Sequence, residues 1–228
     1  MNALMRFIDI TNSKKNGEDN IFASYGILVH SILERYAKGE LQKKDLVDEF
    51  KNSFELEISE PIMMYGRDLT ESYLEKGIIF FSNFEGFWGL NPIEAEHRFE
   101  VPLGHSTFVG VIDLIATNDT DDIIIIDHKS SSKFSKKELK EKSKQLYLYA
   151  TEVYEKYGKF PKELWFNHFK NDYIEKIKFN IEDYRESVNW ALDTIDKIES
   201  CLEFNPNNSD KFYCGYLCDY RNNCEHKD

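Results

Sequence analysis

Apolar residues recur along this chain in two rhythms. Leu28, Ile32 and Tyr36, together with Val29 and Leu33, fall on one face of a helix. Ser24 is placed to cap that helix, and Gly39 to stop it near Lys38. The polar stretch 13–20 ahead of it reads as a loop. Shorter helices are predicted over 41–51 and 61–76. Then the rhythm changes. Segments 78–82, 93–101, 108–115 and 123–127 are short apolar or loosely alternating runs, the pattern of strands. Residues 118–122, Asn-Asp-Thr-Asp-Asp, place a turn between the last two, so that pair reads as a hairpin. Ser135 and Glu138 have the spacing of a capping box, opening a long helix to about Tyr157 with Gly158 just past its end. Segments 164–169 and 173–179 predict a second hairpin, and Asn180 with Asp183 opens a last helix to about Leu202. From 204 to 228 the chain is irregular.

Helices, then strands, then helix, strand and helix make an α/β protein with a mixed sheet, because hairpin and crossover connections both occur. A length of 228 residues fits one large domain with a small appendage. The division expected is a domain over 1–203, with a helical part at 22–76 and a core at 77–203. A tail at 204–228 then packs on the core. No apolar run reaches the roughly 18 residues of a membrane span. Residues 1–15 lack the apolar stretch and cleavage site of a signal peptide, so a cytoplasmic protein is expected.

The formal net charge of −12 argues against a protein that coats nucleic acid through overall charge. A local basic strip is nevertheless present. Lys129, Lys133, Lys136, Lys137, Lys140, Lys142 and Lys144 face only Glu138 and Glu141 over that stretch. The strip is either a solvated helix face or a place to hold phosphates.

Candidate chemistry gathers at the ends of two apolar runs. Gly110-Val111-Ile112-Asp113 ends in a carboxylate, and four isoleucines from Ile123 to Ile126 lead into Asp127-His128-Lys129. Charges beside buried strands are costly unless they pair or bind metal. Two carboxylates and a lysine gathered there suit metal-assisted phosphodiester hydrolysis: the carboxylates hold hard divalent cations and the lysine stabilises charge near the attacking water.

Taken in order, these residues resemble the PD-(D/E)XK nuclease superfamily, and within it the RecB-like branch of CRISPR-associated exonucleases, AddB-type domains and phage nucleases. The similarity lies in five places: the helix 25–34 with His30, Gly110-x-x-Asp113, Asp127-x-Lys129, Gln145-x-x-x-Tyr149, and the C-terminal cysteines. Each motif is weak alone; their order, spacing and apolar strands make the joint signal. The resemblance implies a restriction-endonuclease-like core, with a central mixed sheet flanked by helices. It implies Asp113, Asp127 and Lys129 as catalytic residues. His30, Asp113, Asp127 and the backbone carbonyl of His128 are the implied ligands for Mg²⁺ or Mn²⁺. Supporting roles fall to Glu34, four residues from His30 and able to orient its ring, to Glu96 in the preceding strand, and to Gln145 and Tyr149, which share a helix face.

The four cysteines, Cys201, Cys214, Cys218 and Cys224, lie in the last 28 residues. Some members of the branch bind an iron–sulfur cluster through one N-terminal and three C-terminal cysteines. This chain has no cysteine before 201, and the gap from Cys214 to Cys218 is one residue longer than the usual one. Iron–sulfur, zinc and no metal all remain open for the tail. The function expected is a divalent-metal-dependent DNA nuclease, foremost an exonuclease, acting on single- or double-stranded ends and leaving a 5′-phosphate and a 3′-hydroxyl. A helicase or a recombination or integration protein is the partner its acidity suggests. The alternative is a binding module for DNA ends or a protein on a catalytically weak nuclease fold.

Overall fold

A computed structural model describes residues 21–202, 211, 213–218 and 224. Helix α1 runs over Ile21–Ala37 and buries Tyr25, Leu28, Val29, Ile32 and Leu33, the stripe its spacing predicts. Its described part begins at Ile21, so Ser24 lies inside the helix rather than at its cap. A short 3₁₀ turn, Lys43–Asp45, leads into α2, Leu46–Glu57.

The next segment departs from expectation. The helix expected at 61–76 and the strand expected at 78–82 are instead a two-residue ribbon, β1 Met63–Met64 with β2 Arg67–Asp68, followed by helix α3, Thr70–Asn83. Pro61 and Gly66 interrupt the first helical reading. The apolar run at 78–81 belongs to a helix, because Tyr73, Gly77, Phe80 and Phe81 are buried at helical spacing while Ile79 stays 48% exposed. A run of four apolar residues does not separate a buried strand from a buried helix.

Five strands form the main sheet in the order β3-β4-β5-β6-β7. They are β3 Asn91–Leu103, β4 Ser106–Thr117, β5 Ile123–Lys129, β6 Glu163–His168 and β7 Tyr173–Lys178. β3–β4, β4–β5 and β6–β7 are antiparallel, and β5–β6 is parallel. The parallel step needs a crossover, supplied by helix α4, Lys136–Tyr157. A complete capping box at Ser135 and Glu138 opens α4, and Gly158, at φ +69°, closes it. Helix α5, Ile181–Ser200, is capped by the side chain of Asn180 and packs beside α4.

The sheet is covered on both faces. Ile124, Ile126, Leu114, Ala116 and Trp165 join the core built by α1, α2 and α3. Ile123, Ile125, Ile112, Ile115, Leu164 and Phe166 join Leu146, Tyr149, Ala150 and Val153 of α4. Burial on both faces is why β5 reads as an unbroken apolar run. The strand period then places Asp127 and Lys129 on the α4 side and His128 on the other.

Two strands break this alternation at one rung. In β4, Ile112 faces α4 while Leu114 faces the opposite core, so the phase slips at Asp113. In β3, Glu96 has φ +50°, and the pairing steps from Ala95–Leu114 to His97–Ile112 across it. A non-glycine residue in that region inside a strand is strained, and strain of this kind concentrates at functional sites.

Candidate active site

The slipped rung turns Glu96 and Asp113 toward α1. The backbone N–H of His128 donates to Asp113 Oδ2 at 2.6 Å, which fixes the carboxylate against β5. His30, on α1, places Nε2 2.9 Å from the His128 carbonyl oxygen. Its Nδ1 lies 3.7 Å from Glu96 Oε1 and 3.7 Å from Asp113 Oδ2. One ligand atom each from His30, Glu96 and Asp113 lie within 4.8 Å of one another, and together these residues could hold a metal ion.

The electrostatics fit a site built for positive charge. Burial disfavours the His30 imidazolium, but the carboxylates of Asp113, Glu96 and Asp127 outweigh it and raise the pKa to about 9. Burial raises Asp113 above the usual carboxylate range; the His30 charge opposes this, while Asp127 adds to it. His128 behaves differently. Burial, with His30 and Lys129 nearby, pushes its pKa well down. Its Nδ1 accepts from Asn167 Nδ2 at 3.0 Å, and its ring stacks on Phe87. The imidazole of His128 is therefore a neutral core group, and only its backbone carbonyl faces His30.

The second half of the site comes from β5 and α4. Asp127 is 3% exposed, and its Oδ2 lies 2.7 Å from Lys129 Nζ. That oxygen makes an ion pair without accepting a hydrogen bond of good geometry, so a buried carboxylate oxygen retains capacity for another ligand. Burial works against the Lys129 charge, but Asp127 more than offsets it and raises the lysine's pKa. Lys129 also donates to Gln145 Oε1 at 3.4 Å, and Gln145 Nε2 donates to the Tyr149 hydroxyl at 2.6 Å. The Tyr149 ring stands edge-on to Phe99 in the core, and burial first and Asp127 second raise its pKa, keeping it protonated. Carboxylates, a backbone carbonyl and an imidazole form a donor set that suits Mg²⁺ or Mn²⁺.

One supporting residue stands elsewhere than expected. Glu34 ion-pairs with Lys38 just past the end of α1, and Glu96 and Asp113 occupy the Nδ1 side of His30 instead. Glu34 lines a cleft of about 350 Å³ that opens beside His30 and Glu96 and is also bounded by Gly26, Ile27 and Ser31. The cysteines form no group of three ligands among the described residues. Cys201 and Cys224 are exposed, Cys214 and Cys218 half-buried, and the packing expected of the tail lies mostly outside the described residues. Sequence reasoning missed Asn167 and His97. Asn167 follows the apolar run Leu164–Phe166 of β6 and stands opposite His128 in the ladder; that interruption was its only local sign.

A search of curated protein sequences finds no match. Two solved structures resemble the chain distantly. A protein from Eubacterium rectale provisionally described as an exonuclease aligns at 14% identity with a TM-score of 0.48, covering 96% of this chain and 80% of that one. The protein SSO0001 aligns at 20% identity with a TM-score of 0.39, covering 89% of this chain and 96% of that one. Among the described residues no helix is long and apolar enough to cross a membrane. A profile of the PD-(D/E)XK nuclease superfamily matches residues 7–225. With the mixed sheet and the acidic rung beneath its motifs, the chain belongs to the PD-(D/E)XK nuclease superfamily.

Proposed function

We propose that this protein is a divalent-metal-dependent deoxyribonuclease of the RecB-like branch, working as an exonuclease on DNA ends. The observation that carries the reading is the junction of two groups where the middle of β4 meets the C-terminal end of β5. His30, Glu96 and Asp113 gather their ligand atoms within 4.8 Å, and the buried Asp127 oxygen that lacks a hydrogen bond lies against Lys129.

A phosphodiester is an anion that repels hydroxide. Bound Mg²⁺ or Mn²⁺ would supply charge neutralisation and a lowered pKa for a coordinated water. His30, Asp113, Asp127 and the His128 carbonyl would hold the ion, with Glu96 as a further carboxylate. The His128 N–H keeps Asp113 oriented for that task. Lys129 remains charged in its contact with Asp127 and stabilises negative charge developing on phosphorus. Gln145 holds the ammonium from the side, and Tyr149 fixes Gln145. The exposed lysines at the start of α4 supply a positive approach for the DNA backbone on an otherwise acidic molecule. The acidity of the remaining surface favours a helicase or a recombination protein that delivers the DNA. A cytoplasmic location fits the same reading.

Labelled single- and double-stranded DNA, incubated with the protein and Mn²⁺ or Mg²⁺, tests it. Wild type degrades DNA from ends and EDTA stops it. Asp127→Ala abolishes degradation, and Lys129→Ala lowers the rate by about 10²–10³-fold, the loss typical of a removed transition-state charge donor. Either variant cutting as fast as wild type would remove the assignment.

A further inference from the structure

We propose that His97 is a positioning residue for the metal site, holding β3 on α4 so that the strained Glu96 backbone presents its carboxylate to His30 and Asp113. The inference rests on the metal-site reading above.

Glu96 reaches His30 only because β3 leaves the extended conformation at that residue, with φ +50°. If β3 relaxed to a regular strand there, the period of two would turn the Glu96 side chain away from α1. Something must therefore hold the kink. The residues on either side of it are locked to α4. His97 Nδ1 lies 2.7 Å from Glu94 Oε2, and His97 Nε2 lies 2.7 Å from Glu152 Oε1 of α4. The Nε2 contact is a hydrogen bond across to α4, and Nδ1 lies within ion-pair distance of Glu94 on its own strand, so the imidazole bridges strand and helix. Glu94 is gripped from α4 as well, accepting from Lys156 Nζ at 2.7 Å and from the Tyr157 hydroxyl. The ring of His97 also stacks on Phe99, and both His97 and Glu152 are largely shielded from water.

This network touches neither His30 nor Asp113 directly. Its elements are the strand that carries Glu96 and the helix that carries Gln145 and Tyr149. It therefore fixes the acidic rung relative to the helix that steadies Lys129. A network built only for stability has no reason to straddle the one strained residue of β3.

The test reads metal binding rather than cleavage. Mn²⁺ affinity is measured by calorimetry on the full chain, with thermal unfolding in EDTA as the control for folding. His97→Gln, and separately Glu152→Ala, weakens Mn²⁺ binding by about 10–100-fold, the range seen when a residue supporting a ligand is lost. Glu152→Gln, which keeps an acceptor for the ring, restores most of the affinity. Glu96→Ala weakens binding too, and adding His97→Gln to it produces no further loss, because His97 acts through Glu96. The proposal is overturned if the His97 and Glu152 variants lower the melting temperature while binding Mn²⁺ within about twofold of wild type. It is equally overturned if the Glu96 and His97 losses multiply in the double variant. Either result leaves the metal-site reading standing, whereas a wild-type chain that binds no Mn²⁺ removes both.

Discussion

At Gly110 the requirement is for space rather than for backbone freedom. A Cβ there would sit 2.6 Å from the Phe99 ring and 3.3 Å from the Tyr149 ring. The glycine of Gly-x-x-Asp thus lets β4 close on the ring that anchors Gln145. Gly110→Ala is expected to destabilise the protein by about 1–3 kcal/mol, the usual penalty of overpacking, and denaturant unfolding checks it. His30 poses a different problem. Raised to about 9, it carries a proton at neutral pH before metal binds, and a ligand must give up that proton. Mn²⁺ affinity is therefore expected to rise with pH up to about 9, by at most about one log unit per pH unit for this proton. Calorimetry in two buffers of different ionisation enthalpy reads the released proton; identical heats would refute it. The partner of His30 was not legible locally. Spacing of four selects Glu34, but a residue's neighbour along a helix competes with whatever the sheet brings. Here a strained strand brings Glu96.

Among the elements, α4 was the most legible and carries the most tasks. Its capping box, its C-terminal glycine and its apolar stripe are all local signals, and local hydrogen bonds realise them. Ser135→Ala is expected to cost about 0.5–2 kcal/mol of stability, seen as a lower denaturation midpoint with an unchanged denaturant slope. Segment 70–83 was the least legible. Its later part, 78–82, fits a strand by composition, and the burial of Tyr73, Gly77, Phe80 and Phe81 at helical spacing, with Gly77 packed on Phe50, reveals a helix face. The turn at 118–122 lies between these extremes. Asn118 Oδ1 accepts from the backbone N–H groups of Thr120 and Asp122, which is why a polar run suffices to name it.

At the scale of the whole molecule, folding and metal binding should be linked. The proposed site draws on α1, β3, β4 and β5, elements far apart in sequence, so its candidate ligands converge only in the folded chain. An ion that binds the native state alone stabilises it by about 2.7 kcal/mol at a concentration a hundred times Kd. For a chain of this size that raises Tm by roughly 5–10 °C. Mn²⁺ is expected to produce such a rise in wild type and none in Asp127→Ala. A rise of equal size in both would show that the ion stabilises from elsewhere, and the ligand set would have to be redrawn.

The apolar runs that carry Asp113 and Asp127-x-Lys129, a capped helix with Gln145 and Tyr149, and the α/β order were determined by the sequence, because period, caps and strand composition are local properties of a chain. The sequence could also order its motifs well enough to resemble a nuclease superfamily. Only the tertiary structure decided that Glu96 rather than Glu34 faces His30, that the His128 ring packs on Phe87 and Asn167, and that His97 ties β3 to α4. Those choices depend on a phase slip at one rung of the sheet, and such a slip is stabilised by contacts across the fold rather than by any neighbour in the chain.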